Sequence, residues 1–108
     1  MFVKNADVLP TPTGDGVSRK ILGMGASMMM VEVSFKEGGV GEPHAHVHEQ
    51  VSYIAKGSFA FSLDGETRVV SAGDSIYVPS GVLHGTKALE DSIIVDVFSP
   101  IREDFLKK

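Results

Sequence analysis

The sequence predicts an all-β domain, a small antiparallel sandwich or barrel, on three observations. Eight or nine short stretches of alternating or β-branched residues recur along the 108 residues, punctuated by Gly, Pro, Asn or Asp. Helical periodicity is nearly absent. Asp64-Gly65, set between Phe59–Leu63 and Thr67–Val70, is the strongest short-range hairpin signal in the chain. A barrel of this size encloses a lumen that takes one small ligand.

In chain order, residues 1–16 run into Pro10-Thr11-Pro12-Thr13-Gly14-Asp15-Gly16, which is turn-rich and aperiodic. They are expected as an N-terminal arm or loop ahead of a single domain over residues 17–108. Val17–Leu22 reads as a short strand interrupted by Gly23 and Gly25. In Met28–Lys36 the alternation is clear: Met29, Val31, Val33 and Phe35 make one face, and Met30, Glu32, Ser34 and Lys36 the other. The Met28-Met29-Met30 run reads as packing rather than as soft thioether ligands. After Gly38-Gly39 and a histidine stretch come Val51–Ala55, the two hairpin strands, Ser75–Val78 and Ser92–Phe98. Turns at Lys56-Gly57, Ala72-Gly73-Asp74 and Pro79-Ser80-Gly81 separate them. On the last strand Ile93, Val95 and Val97 share one face, and Ile94, Asp96 and Phe98 the other. Ser99-Pro100 matches an N-cap with proline at the first helical position, which predicts a short helix through Phe105.

Bulk properties exclude several classes of function. One core fits in this length and two do not. With 43% hydrophobic residues the chain is globular rather than disordered. A formal charge of −4 and scattered Lys and Arg exclude the basic surface that nucleic acid or an anionic membrane would need. Absence of cysteine removes disulfides, thiolate metal sites and cysteine nucleophiles. Met1–Asp7 has no apolar signal region and no apolar run reaches membrane-spanning length, so a soluble, cytoplasmic protein is expected.

Three of the four histidines fall in Gly38–Gln50. In one extended strand alternate residues share a face, so His44, His46, His48 and Gln50 are candidates to converge on one point. Imidazole is the commonest protein ligand for divalent transition metals. The fourth histidine, His84, follows the turn at Pro79-Ser80-Gly81.

Gly38, five residues, His44, one residue, His46, three residues, Gln50, six residues and Gly57 resembles the first motif of the cupin superfamily, with Gln50 where most members have Glu. Gly73, five residues, Pro79, one residue, Gly81, two residues and His84 is similar to the second motif, with Ala88 in place of Asn. The resemblance implies a double-stranded β-helix, the jelly-roll barrel, holding one divalent metal on His44, His46, Gln50 and His84. His48 is then left in a supporting or surface position. With Gln in place of Glu all four ligands are neutral and the ion keeps its full charge, which suits polarisation of an oxygen better than oxygen activation. Nickel, zinc, manganese and iron are all compatible with these donors.

Arg19–Leu22, Met29–Val33, His48–Gln50, Ala88–Ser92 and Asp96–Phe105 further resemble the pectin-degradation cupins of the KdgF type. That resemblance implies conversion of 4,5-unsaturated uronate monosaccharides to the linear 4-deoxy-5-keto-uronate. It assigns Asp96, Phe98 and Arg102 as the functional residues. Asp96 would act as acid and base, Arg102 would grip the substrate carboxylate bidentately, and Phe98 would wall the sugar ring. The implied partners are a small sugar-acid substrate and a second copy in a homodimer, with neither nucleic acid nor membrane. Two other readings stand beside it: a metal-dependent dioxygenase or isomerase on another small carbonyl compound, and a non-catalytic sugar-binding cupin.

Overall fold

In the computed structural model the described residues are 1–107; Lys108, the last residue of the expected domain, lies outside them. The strands are β1 Thr11–Gly14, β2 Val17–Met24, β3 Met29–Phe35, β4 Val40–His44, β5 Glu49–Lys56, β6 Ser58–Leu63, β7 Glu66–Ser71, β8 Ser75–Val78, β9 His84–Ala88 and β10 Ser92–Ser99. Two 3-10 turns, Asn5–Asp7 and Glu103–Leu106, are the helical elements among the described residues. No helix there is long and apolar enough to cross a membrane.

The strands form two antiparallel sheets, a six-stranded one in the order β1-β2-β3-β10-β5-β8 and a four-stranded one in the order β4-β9-β6-β7. This is the double-stranded β-helix expected from the sequence. The alternation in β3 buries Met29 and Val31 completely and Phe35 nearly so, because one face of the sheet turns inward and sheds water. The hairpin closes at Asp64-Gly65, with φ of 49° and 83°, the positive values that a two-residue turn of matching twist requires.

Apolar side chains from the two sheets meet in two clusters. One gathers Val17, Phe35, Ile54, Phe59, Phe61, Val78, Ala88 and Ile94, with Phe35 and Phe59 edge to face at 5.1 Å. The other is Met29, Val31 and Phe98, flanked by Ile21, Val33, Ile101 and Phe105. Along the inward face of β10, Asp96 falls between Ile94 of the first cluster and Phe98 of the second.

Four local expectations change. Thr11–Gly14, expected within an arm or loop, pairs with β2 and extends the six-stranded sheet. His84–Ala88, unassigned in the sequence, is a strand between β4 and β6. The histidine stretch is not one strand: β4 ends at His44, β5 begins at Glu49, and the chain crosses from one sheet to the other between them. Finally, Ser99 is not an N-cap and Pro100 does not start a helix. Ser99 pairs with Glu49 in the β10–β5 ladder, so long-range pairing overrides the local cap signal, and the short turn begins only at Glu103 with no side-chain cap.

Candidate metal centre

His44 and His84 face each other because β4 and β9 pair with His44 opposite His84. β4 lies at the sheet edge, and its register shifts between Gly41 and His44, where Pro43 can donate no ladder hydrogen bond. Close approach of the two strands depends on Gly85. A Cβ there would stand 3.0 Å from the Gly41 carbonyl oxygen and from the N and Cα of Pro43. His46 reaches the same point from the crossover, where its carbonyl accepts a hydrogen bond of 2.8 Å from the Gly81 N–H.

The three imidazoles are oriented alike. Nδ1 of His44 donates to the Glu42 carbonyl at 2.9 Å, that of His46 to the His48 carbonyl at 3.0 Å and that of His84 to the Val82 carbonyl at 2.9 Å. Each Nδ1 therefore carries the proton of the neutral ring, and each Nε2 presents a lone pair, the arrangement that orients metal-binding histidines. One ligand atom from each of the three lies within 4.8 Å of the others. The His84 Nε2 is buried with no hydrogen-bond partner among the described residues. Burial, helped by the charge of Arg102, holds the pKa of His46 below the ordinary histidine value, and burial does the same at His84. Three converging lone pairs form a group that can hold a metal ion.

Gln50 joins this group from β5. Its Oε1 lies 3.1 Å from the His46 Nε2, while its Nε2 donates to Ser52 Oγ at 2.8 Å and to Asp96 Oδ1 at 3.2 Å. Ser52 gives its own proton to Asp96 Oδ1 at 2.6 Å, so its oxygen must receive a proton, and only the NH₂ end of the amide can give one. The amide oxygen is thereby aimed at the histidines. A carboxylate at position 50 would instead confront Asp96 with a second acceptor, which accounts for Gln at a position where a carboxylate would otherwise serve.

Asp96 stands opposite Ser52 in the β5–β10 ladder, on the lumen side. Burial pushes its carboxyl up to about 6, against the hydrogen bonds from Ser52 and Gln50 and the nearby charge of Arg102, all of which favour the ionised form. Arg102 makes no ion pair with Asp96. It is buried, and its Nε and Nη2 bind both oxygens of Asp104 at 3.0 and 2.8 Å, a contact that also depresses the Asp104 carboxyl. Its side-on edge is occupied and the end-on edge remains. That fork and the Phe105 ring, 4.2 Å beneath the guanidinium, fix its position; the expected helix cap does not.

A cavity of about 690 Å³ opens over this site and includes His44, Gln50, His84, Asp96 and Arg102 in its walls. Phe98 is 3% exposed and stacks edge to face on His46 at 5.8 Å and on Phe105 at 5.7 Å. It is not among the residues lining the cavity, whereas Phe105 is. His48 stays outside the three-histidine group, and its carbonyl holds the His46 ring. Ser52, Asp104, Phe105 and Arg19 were not read from the sequence as site residues. Ser52, Phe105 and Arg19 owe their places to pairing or packing across the barrel, which leaves no local signal, while Asp104 is held by Arg102 two residues before it.

Jelly-roll topology and a histidine group in the lumen define a cupin, and the family model described as Cupin domain matches residues 31–98. The pectin degradation protein KdgF of Dickeya dadantii is 43% identical over 95 residues, which cover 86% of each chain. The structure of KdgF from a Halomonas species superposes with a TM-score of 0.94 at 39% identity, covering 97% of both chains. An RmlC-like cupin from Shewanella frigidimarina superposes with a TM-score of 0.93 at 40% identity, covering 96% of this chain and 94% of that one. The chain belongs to the cupin family, in its KdgF group.

Proposed function

We propose that the protein is an enzyme of uronate metabolism that converts 4,5-unsaturated uronate monosaccharides, the products of pectin or alginate lyases, into the linear 4-deoxy-5-keto-uronate. The observation that carries this reading is the placement of Asp96, a carboxyl raised to about 6, in one cavity with a buried arginine and with His44 and His84 of the three-histidine group. The likeness to KdgF, a pectin degradation protein by name, supports it.

His44, His46 and His84, with Gln50 as a fourth ligand, would hold one divalent ion, nickel, zinc, manganese or iron. When bound, the ion supplies positive charge that polarises an oxygen. The chain's own groups account for the rest. The end-on edge of Arg102 meets the substrate carboxylate. Protonated Asp96 delivers its proton to C4 of the enol ether, and the resulting carboxylate takes a proton from the water whose oxygen adds to C5. Breaking the bond from C5 to the ring oxygen then leaves the ketone, and the hydroxyl proton at C5 passes to that oxygen. Water is released again when the C1 hydrate collapses to the aldehyde. Ser52 and Gln50 hold the ionised Asp96 between proton transfers. Phe98 contributes by backing His46 and Phe105.

Gln50→Glu separates charge from geometry. The added carboxylate is expected to tighten metal binding about tenfold or more. Turnover is expected to fall, because the donor to Asp96 is replaced by a like charge. Competitive metal titration and steady-state kinetics on one sample read both effects, and faster turnover would contradict the role given to the amide.

A homodimer is part of the proposal. Val51, Tyr53 and Tyr77 on the outer face of the six-stranded sheet are each about half exposed and adjoin one another in register, an apolar patch of the kind that pairing covers. Sedimentation velocity is expected to show a dimer that Tyr53→Lys weakens.

Product analysis tests the activity itself. Nuclear magnetic resonance of a reaction with unsaturated galacturonate is expected to show loss of the vinylic C4 proton and growth of the open-chain ketone, without oxygen uptake. Oxygen consumption matched to substrate loss would favour a dioxygenase instead.

A further inference from the structure

Arg19 has no role in the chemistry above, yet it lines the same cavity. β2 carries it opposite Val33 of β3, and its guanidinium lies 3.9 Å over the centroid of the Phe105 ring. The same ring carries Arg102 at 4.2 Å, so one phenylalanine gathers two guanidinium groups at the cavity wall. Their surroundings differ. Arg102 is neutralised by the Asp104 fork, whereas Arg19 makes no hydrogen bond or ion pair with a side chain among the described residues. The acidic residues that line the cavity, Asp15, Glu42 and Asp96, form no ion pair with it. Arg19 is half-buried, and burial together with the charge of Arg102 lowers its pKa against the opposing pull of Asp104. Arg19 therefore stands in this cavity without an ion-pair partner among the described residues, its donors unused, in the wall that also takes in His44, His84 and Arg102.

We propose that Arg19 is the cation that receives the carboxylate of a sugar acid in this cavity, acting with the end-on edge of Arg102 and supplying the charge that selects an acid over its neutral counterpart. This rests on the uronate reading above. A planar guanidinium stacked on an aromatic ring has its fork direction fixed in advance, so little side-chain freedom is lost when a carboxylate docks. Because the group is bound alike in the ground state and the transition state, its loss should raise KM and leave kcat nearly unchanged.

Two measurements on metal-loaded protein test the proposal. Calorimetric titration with saturated galacturonate, which cannot react, is expected to show binding weakened about ten- to a hundredfold in Arg19→Gln, with Arg19→Lys falling between the variant and the wild type. Kinetics with unsaturated galacturonate and its methyl ester are expected to show the acid preferred by the wild type and that preference largely lost in Arg19→Gln, through KM. Unchanged affinity for galacturonate in a folded Arg19→Gln protein with full metal content overturns the assignment, as does a wild type that binds no galacturonate. A wild type that binds galacturonate through Arg19 but turns over no unsaturated uronate overturns the reaction and leaves Arg19 as the acid-binding residue.

Discussion

Asp96→Asn is expected to keep its full complement of metal and lose turnover by about 10²- to 10⁴-fold, the range in which a positioned acid or base contributes. The substitution is close to isosteric. Asn can still accept from Ser52 and from Gln50, so the strand pairing and the aim of the Gln50 amide survive, and what disappears is a group that gives and takes a proton near neutral pH. Metal analysis and kinetics on the same preparation separate this from a structural effect, and full activity in the variant would make Asp96 a structural residue. Stability should move the other way. A folded carboxyl raised from 3.8 to about 6 binds its proton more readily folded than unfolded, so the stability tied to it is present below about 3.8 and lost as pH rises through about 6. Above that pH the metal-free wild type carries a desolvated charge costing up to about 3 kcal/mol. Metal-free Asp96→Asn is therefore expected to resist urea better than wild type at pH 8 and to lose that advantage toward pH 4.

His84→Ala is expected to abolish the stabilisation that a divalent metal gives the wild type. At a free metal concentration about a thousand times Kd, binding to the folded state alone contributes about 4 kcal/mol, on the order of 15 °C in Tm for a domain of this size. His84 is the most buried of the three rings and its Nε2 has no partner, so its removal deletes a ligand from the centre of the group rather than from its exposed rim. Differential scanning calorimetry with and without nickel or zinc gives the comparison. An equal rise in Tm for variant and wild type would place the metal elsewhere.

What was legible in the sequence depended on how local its cause was. Alternation in β3 and β10 and the Asp64-Gly65 turn are set by neighbouring residues, and they stand where the pattern puts them. β9 could not be read that way, because His84-Gly85-Thr86-Lys87-Ala88 has no apolar alternation and is made a strand by its neighbours β4 and β6. The shared parity of His44, His46 and Gln50 pointed to residues that do come together, but not for the reason the parity suggested. Their convergence comes from a crossover between sheets, not from one pleated strand, and that is also why His48 does not join them. At Ser99-Pro100 a good cap signal lost to pairing with Glu49. Arg19 and Phe105 come from opposite ends of the chain, so only the closed barrel brings them together with Arg102.

The most direct measurement follows the ultraviolet absorbance of the conjugated enol ether in unsaturated galacturonate on addition of metal-loaded protein, with a chelator-treated sample alongside. A loss of absorbance much faster than the spontaneous rate, suppressed by the chelator and by Asp96→Asn, is the predicted result. A rate equal to the spontaneous one in fully metal-loaded wild type would contradict the assignment of this cavity to uronate ring opening.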